Sequence, residues 1–273
     1  MHAEPVTPAE AAAATREQIW STLTEGGRST LVDSPPGAGK STLVREIGRR
    51  AHRRAQVPIV VQTNDQADDM VRGYIADQRR GAAPVRLGRL HGGDYLPPAD
   101  IRAEQGLSFS KSINDLHDCD VIVAPAAKWA TVDFDHSWPF GIVDEAYQMR
   151  SDALLPIGVM MSSLLMVGDP GQLAPFTTAD DTRFRGRPLS PVETAAATIL
   201  TTQPETTRLA LPVSWRLPSH AADLISDAFY EIPFTAGTQP HQRRLRRGVT
   251  PLHRGRATDA VHTAARGGWA YLE

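Results

Sequence analysis

Short runs of apolar, often β-branched residues recur along the chain, with helical patterns between several of them. Each run is almost continuously apolar, which is typical of parallel strands that are buried on both faces of a sheet. The predicted strands are 29–33, 57–62, 85–90, 120–124, 140–144 and 163–168. Because strands alternate with helices, the pattern predicts an α/β fold built on a parallel sheet.

Helical periodicity is clearest directly after Lys40, and a helix start is visible near the N-terminus. The apolar residues that share one face after Lys40 are Leu43, Val44, Ile47 and Ala51. Thr7 can cap a helix whose first residue is Pro8, and Glu10 completes a capping box. This helix is predicted to run to about residue 23. We also predict a short helix at 192–200, a strand at 208–211 and an amphipathic helix spanning 221–229.

Composition places the chain among globular proteins. It has 273 residues, 41% apolar and 22% charged, and no apolar run approaches the length of a membrane span. The N-terminus has no apolar signal core, so we expect a cytoplasmic protein without a membrane partner. The net charge of −2 means that nucleic acid would need a local basic patch. A lone cysteine, Cys119, excludes an internal disulfide and a Cys-rich metal site.

A phosphate-binding loop is predicted between the first strand and the helix after it. Gly37 and Gly39 permit backbone angles that point successive N–H groups at a phosphate, and Lys40 can reach the β- and γ-phosphates. The Ser41 hydroxyl can ligate Mg²⁺. The predicted nucleotide-binding residues are Pro36, Gly37, Ala38, Gly39, Lys40, Ser41 and Thr42. The alternative is a glycine-rich turn that binds nothing, which the strand, lysine, hydroxyl and helix in sequence disfavour.

Two adjacent carboxylates end the predicted strand 140–144. Ligand-binding groups in α/β sheets lie at the carboxyl ends of strands. Asp144 is predicted to hold Mg²⁺, and Glu145 to orient or deprotonate the attacking water. Without the phosphate loop, a solvated acidic turn would be an equally good explanation.

These motifs, with several others in the same order, resemble those of superfamily 1 helicases. The segment 144–148, Asp-Glu-Ala-Tyr-Gln, looks like motif II of the DEAxQ branch, and 168–175, Gly-Asp-Pro-Gly-Gln-Leu-Ala-Pro, matches motif III closely. Gln18 lies where the family has its Q motif, 62–64 resemble motif Ia, and 214–216, Ser-Trp-Arg, resemble motif IV. One departure is Ser34, which stands at the usual first glycine of the phosphate loop.

The resemblance implies a P-loop ATPase with two RecA-like domains and Mg²⁺–ATP between them. Catalytic roles are implied for Lys40, Glu145, Gln172 and Arg216, the last two near the γ-phosphate. Adenine is expected to contact Gln18 and Trp215, and a nucleic-acid backbone to contact Thr63 and Asn64. Taken by themselves, Gln172, Trp215 and Arg216 are also consistent with a loop amide, a core residue and a surface arginine.

The motif content predicts one complete and one partial domain. We assign 1–205 to a RecA-like ATP-binding domain and 206–273 to the start of a second, because the family's motifs V and VI are not found. A further domain or partner chain would then supply them. The arginine-rich stretch 243–256 could contact phosphates. Because the whole sequence is rich in arginine, a solvated loop is the favoured interpretation.

The leading functional hypothesis is ATP hydrolysis coupled to movement along single-stranded nucleic acid, DNA or RNA. The alternative is a nucleotide-binding regulatory ATPase, or a truncated helicase relic, that does not unwind. Nucleic-acid stimulation of hydrolysis separates the two. A small-molecule kinase is disfavoured, because it has no need of a second γ-phosphate sensor in a motif III loop.

Overall fold

The computed structural model describes residues 6–26, 29–133, 135, 137–176, 182–184 and 190–239. The helices are α1 (Pro8–Gly26), α2 (Lys40–Ala51), α3 (Asn64–Arg79), α4 (Ala99–Arg102), α5 (Ala126–Trp129), α6 (Ser151–Gly158), α7 (Ala195–Thr202) and α8 (Ser219–Phe229). The strands are β1 (Thr30–Asp33), β2 (Val57–Val61), β3 (Leu87–Leu90), β4 (Leu107–Ser110), β5 (Val121–Pro125), β6 (Gly141–Asp144), β7 (Leu164–Gly168), β8 (Thr207–Ala210), β9 (Val213–Ser214) and β10 (Thr235–Ala236). Within these ranges, no helix is long and apolar enough to cross a membrane. The arginine-rich stretch 243–256 lies outside the described residues.

Eight of the strands form one parallel sheet in the order β4-β3-β5-β2-β6-β7-β1-β8. The predicted α/β fold is therefore confirmed, and all six strands predicted from the continuous apolar runs are present. A separate pair, β9 and β10, is also parallel.

Each central strand is buried on both faces, because alternate residues point to opposite sides of a sheet. On β1, Val32 packs into the layer formed with α1, α2 and α3, whereas Leu31 packs into the layer formed with α5, α6 and α7. On β6, Ile142 and Val143 divide in the same way. This two-sided burial explains the nearly uninterrupted apolar runs in the sequence.

The first two helices form as their sequence patterns predict. The N–H of Thr7 donates to Glu10 Oε2 at 2.9 Å, and the N–H of Glu10 donates to Thr7 Oγ1 at 3.3 Å, which is the predicted capping box. The helix ends at Gly26, three residues beyond the predicted end. In α2, the predicted apolar face is buried against the sheet.

The strand near residue 208 lies in the first sheet. Its residues pair with β1, and Thr207 stands opposite Thr30. A domain boundary at residue 205 would therefore separate β8 from the sheet to which it belongs. The local hydrophobic pattern does not encode which strands are neighbours in space, so it could not indicate this pairing. Residues 240–273 lie outside the described part of the chain, so the division into two RecA-like domains stays a prediction.

One strand of the sheet was not predicted. β4 stands at the edge, pairs only with β3 in the described residues, and buries Ser110 while leaving Ser108 exposed. Because an edge strand is only partly buried, it does not need a continuous apolar run, and its sequence pattern therefore does not indicate a strand.

A fully buried ion pair fastens β3 to α3. Arg89 and Asp68 are 0% and 1% exposed, and Nε of Arg89 lies 2.9 Å from Oδ1 of Asp68. The guanidinium also donates to the carbonyl of Leu90 at 2.7 Å and to Oδ1 of Asn64 at 2.9 Å. The hydroxyl of Tyr95 donates to the other carboxylate oxygen. Both charges are therefore satisfied by several partners, as buried charges require.

This pair predicts a large difference between two Asp→Asn variants. Asp68→Asn leaves the buried guanidinium without a carboxylate, so we expect the free energy of unfolding to fall by about 3–5 kcal/mol. Asp100→Asn breaks the exposed pair with Arg72 and is expected to cost less than about 1 kcal/mol. Denaturant unfolding of both variants measures the difference. Similar losses in the two variants would contradict the assignment.

Candidate functional site

The loop between β1 and α2 has the conformation of a phosphate-binding loop. Gly37 and Gly39 have φ of 74° and 95°, in the left-handed region that favours glycine. Ser34 is not among the described residues with positive φ, and its N–H donates to the carbonyl of Gly168 at 2.8 Å. A serine is therefore tolerated at this position, because its backbone conformation is one that any residue adopts.

A cavity of about 990 Å³ opens beside this loop. Its volume is that of a typical small-molecule site, which spans roughly 300–1,000 Å³. The predicted site residues that line it are Pro36, Gly37, Ala38, Gly39, Lys40, Ser41, Thr42, Glu145, Gln172, Trp215 and Arg216. Five further lining residues were not predicted to bind a ligand, namely Asp169, Gly171, Ile225, Phe229 and Tyr230.

Lys40 and Glu145 form an ion pair inside the cavity. Nζ of Lys40 lies 2.9 Å from both carboxylate oxygens of Glu145, and the two side chains are 16% and 18% exposed. Glu145 has φ of 59°, the only positive value at a non-glycine residue in the described chain. Such a conformation costs on the order of 1–3 kcal/mol and is concentrated at functional sites.

Asp144 is buried directly behind this pair. Its Oδ1 accepts the backbone N–H of Glu145 at 3.0 Å. Burial, followed by the negative charge of Glu145, raises the pKa of Asp144 to about 6, although Lys40 opposes the shift. The negatively charged form of Asp144 is thus unfavourable, and a bound cation would stabilise it.

The residues present fit a Mg²⁺ ion. This cation prefers oxygen ligands and is usually held by one or two carboxylates, together with substrate phosphates and water. The Ser41 hydroxyl lines the cavity, and the Asp144 carboxylate lies at the end of β6. The protein therefore offers one hydroxyl oxygen and one carboxylate as ligands for Mg²⁺. No cluster of three or more acidic, His or Cys side chains that could hold a metal ion is found among the described residues.

The loop after β7 is braced from two sides. Asp169 is 1% exposed, and its Oδ1 accepts the N–H of Gly171 at 3.0 Å and the hydroxyl of Tyr230 at 2.6 Å. Nε2 of Gln148 donates to Oε1 of Gln172 at 2.7 Å, which joins the motif II segment to this loop. Gln172 is therefore placed beside the cavity by contacts with two other elements.

The segment around β9 packs directly on the phosphate loop. The Ser214 hydroxyl donates to the carbonyl of Pro36 at 2.6 Å, and the N–H of Trp215 donates to the carbonyl of Gly37 at 3.0 Å. A Cβ at position 37 would overlap the Cβ of Arg216, which gives a second reason for glycine there. Trp215 and Arg216 are thereby brought to the cavity. The motif in the sequence indicated these two residues as site residues, whereas Ser214 was part of the same motif but was assigned no role.

A chain of polar contacts runs behind the loop. The hydroxyl of Tyr147 donates to Oδ1 of Asp33 at 2.6 Å, and Nε of Arg208 donates to Oδ2 of Asp33 at 2.8 Å. Arg208 also donates to Glu231 at 2.8 Å. These contacts connect motif II, the end of β1, β8 and the segment after α8, and no local motif in the sequence indicated them.

Four predicted residues do not line the cavity, and one of them, Asp144, is buried at the end of β6. Gln18 is exposed on α1 and does not line it. Thr63 caps α3 by accepting the N–H of Gln66, and Oδ1 of Asn64 accepts from the buried Arg89. The motif Ia segment therefore has a structural role at the start of α3, and its contact with nucleic acid stays a prediction.

Solved helicase structures are similar to this chain. The crystal structure of arterivirus nonstructural protein 10 (helicase) is 19% identical, with a TM-score of 0.50 over 80% of this chain and 43% of that one. Its complex with DNA is 18% identical, with a TM-score of 0.50 over 87% and 48%. Pif1 from Bacteroides sp in complex with ADP-AlF4 is 13% identical, with a TM-score of 0.45 over 78% and 44%. No protein-family model and no curated protein sequence matches the chain.

The arterivirus matches show the fold. The chain has a RecA-like α/β fold similar to that of this solved helicase, and it spans less than half the length of the arterivirus protein. The DEAxQ branch and the individual site residues stay predictions.

The raised pKa of Asp144 predicts a pH-dependent effect of Asp144→Asn. In the folded protein Asp144 takes up a proton below pH 6, whereas in the unfolded chain it does so only below about pH 4. Its ionisation therefore destabilises the folded protein above pH 6, and this penalty disappears as the pH falls toward 4. We expect Asp144→Asn to raise the free energy of unfolding by about 1–3 kcal/mol at pH 8 and by much less at pH 4.

Urea unfolding at both pH values, without nucleotide or Mg²⁺, measures this effect. Asp69→Asn, on an exposed side chain, is the matched control and should show no such pH-dependent gain. A variant that is less stable than the wild type at pH 8 would show that the buried carboxylate is needed as an anion.

Proposed function

We propose that the chain binds a Mg²⁺–nucleoside triphosphate at the phosphate loop and hydrolyses it, as the nucleotide-binding part of a nucleic-acid motor. ATP is the nucleotide that the sequence resemblance implies. The observation that carries the proposal is the convergence of Lys40, Glu145, Gln172 and Arg216 on one cavity bounded by the loop 34–39. Phosphoryl transfer depends mainly on positioning and on neutralising charge, and these are the groups that it needs.

Each side chain of the cavity has a distinct part in this proposal. Lys40, together with the loop N–H groups, binds the β- and γ-phosphates. Glu145 accepts a proton from the attacking water, and Gln172 and Arg216 contact the γ-phosphate. Ser41 and Asp144 would hold Mg²⁺, which would neutralise phosphate charge. Entry of the phosphates separates Lys40 from Glu145, so binding of the substrate frees the base.

Single-stranded nucleic acid is the proposed partner. The DNA complex of arterivirus nonstructural protein 10 supports this choice by similarity of fold. A backbone-tracking site with few contacts should lose affinity with salt at a logarithmic slope of roughly 0.7 per phosphate contact. Steady-state hydrolysis with and without single-stranded DNA or RNA, beside a strand-displacement assay, tests the coupling.

One observation favours the regulatory ATPase as a second candidate. The segment carrying Ser214 and Trp215 is hydrogen-bonded to the phosphate loop itself, and Tyr230 is bonded to Asp169. These hydrogen bonds fasten the segment 214–230 to the loops that line the cavity. A motor instead needs two domains that move relative to each other around the nucleotide. Hydrolysis that no nucleic acid stimulates would select this candidate.

Nucleotide affinity should depend strongly on Lys40. Lys40→Ala removes the charge that the phosphates contact, so we expect binding to weaken by about 2–4 kcal/mol, as for one partner of a buried charged pair. Lys111→Ala, an exposed lysine directly after β4, is the matched control. Isothermal titration with Mg²⁺–ADP measures both. Equal affinity in the wild type and Lys40→Ala would refute the assignment of the loop.

Turnover should depend on Glu145. Glu145→Gln keeps the shape of the side chain and removes the base, so we expect hydrolysis to fall at least about 100-fold while the nucleotide still binds. Binding is not expected to weaken, because the change also releases Lys40 from its ion pair. Phosphate release under saturating ATP is the measurement, with the exposed Glu205→Gln as a control. Normal turnover in Glu145→Gln would give this residue another role.

A further inference from the structure

A second, smaller cavity adjoins the phosphate loop on the side of α1. Its volume is about 120 Å³. The residues that line it are Ala12, Arg16, Ala38, Gly39, Thr42, Leu43, Leu211, Pro212, Val213 and Trp215. Ala38, Gly39, Thr42 and Trp215 line the larger cavity as well. A ligand with phosphates in the larger cavity can therefore place an attached ring in the smaller one.

The walls of this second cavity are suited to a flat, mostly apolar ring. Leu211, Pro212 and Val213 belong to the lining, and so does the aromatic side chain of Trp215, a residue that is 37% exposed. Among the lining side chains, the polar groups are the guanidinium of Arg16, the hydroxyl of Thr42 and the indole N–H of Trp215. Aromatic stacking tolerates any base, so selection between bases depends on the polar groups.

The rotational orientation of α1 places Arg16 at this cavity and Gln18 on another face of the helix. Ala12 and Ile19 are buried at four residues before and three residues after Arg16, so the three share a face. Two residues along a helix correspond to a rotation of about 200°, which places Gln18 on the opposite, exposed face. Nε of Arg16 pairs with Glu46 of α2 at 3.3 Å, and this contact holds the guanidinium beside the phosphate loop.

Arginine and glutamine read different purines. A guanidinium has only donors, and it matches the two acceptors O6 and N7 of guanine. Adenine presents N7 beside an amino group, which repels a second donor and instead matches an amide. We propose that the smaller cavity takes the nucleobase and that Arg16 makes the chain select guanine nucleotides over adenine nucleotides. This inference rests on the proposed binding of a nucleotide at the phosphate loop.

The test is a comparison of Mg²⁺–GDP with Mg²⁺–ADP by isothermal titration on the full chain. We expect GDP to bind about five- to tenfold more tightly, at the low end for a bidentate contact because the Arg16 side chain is 34% exposed. Arg16→Gln supplies a donor and an acceptor, so the ratio should fall to one or reverse. Arg16→Lys, which keeps the charge without the bidentate fork, should retain a reduced preference for GDP. Arg53→Gln, at an exposed arginine outside both linings, should leave the ratio unchanged.

The outcomes separate this inference from the proposed function. Equal binding of the two nucleotides, tighter binding of ADP, or the same ratio in Arg16→Gln would overturn the inference and leave the proposed function intact. A changed ratio in Gln18→Ala would assign base reading to that residue and would also overturn it. If neither nucleotide nor tripolyphosphate binds the wild type, both the proposed function and the inference fail. Thermal unfolding of each variant verifies that it is folded.

Discussion

Parallel pairing of four neighbouring strands is the constraint on which the candidate site depends. In the order β6-β7-β1-β8, Asp144 stands beside Val167, and Asp33 stands between Gly168 and Ala210. Because parallel strands end at the same edge, the carboxylate pair, the motif III loop, the phosphate loop and the segment after β8 all begin there. Adjacent strands are about 4.8 Å apart, so groups nearly 180 residues apart in sequence fall within reach of one ligand.

Side chains then convert this proximity into a defined cavity. Ser214 and the N–H of Trp215 fasten the segment after β8 to the phosphate loop, and Tyr230 fastens the end of α8 to Asp169. A typical hydrogen bond contributes about 0.5–1.5 kcal/mol to stability. The stabilisation from these three contacts is therefore similar in size to the energetic cost of the positive φ at Glu145. A ligand that moves the motif III loop would act on α8 through Tyr230, and one that moves the phosphate loop would act on β9 through Ser214.

What the sequence predicts well is whatever it encodes locally. The central strands are buried on both faces and read as apolar runs, and the phosphate loop is a contiguous motif. The edge strand β4 has no such run, and the neighbour of β8 in the sheet is fixed by chain topology. Thr63 shows how one short motif supports two explanations, since a polar residue after a strand can contact a ligand or cap a helix. Tyr230 acts through Asp169, 61 residues away, so no local pattern could indicate it.

The balance of charge in the cavity explains why a cation and the phosphates are expected to enter together. Asp144, Glu145 and Lys40 lie close to one another, and the pKa of Asp144 is already raised by burial and by Glu145. A triphosphate would add further negative charge and withdraw Lys40 from Glu145, which would leave Glu145 in the cavity and the buried Asp144 beside it without that counter-charge. One lysine cannot offset that repulsion, whereas a divalent cation held by Asp144 and Ser41 would supply the further positive charge. In the proposed function, the buried carboxylate whose pKa is raised to about 6 is therefore the group that would make nucleotide binding depend on the metal.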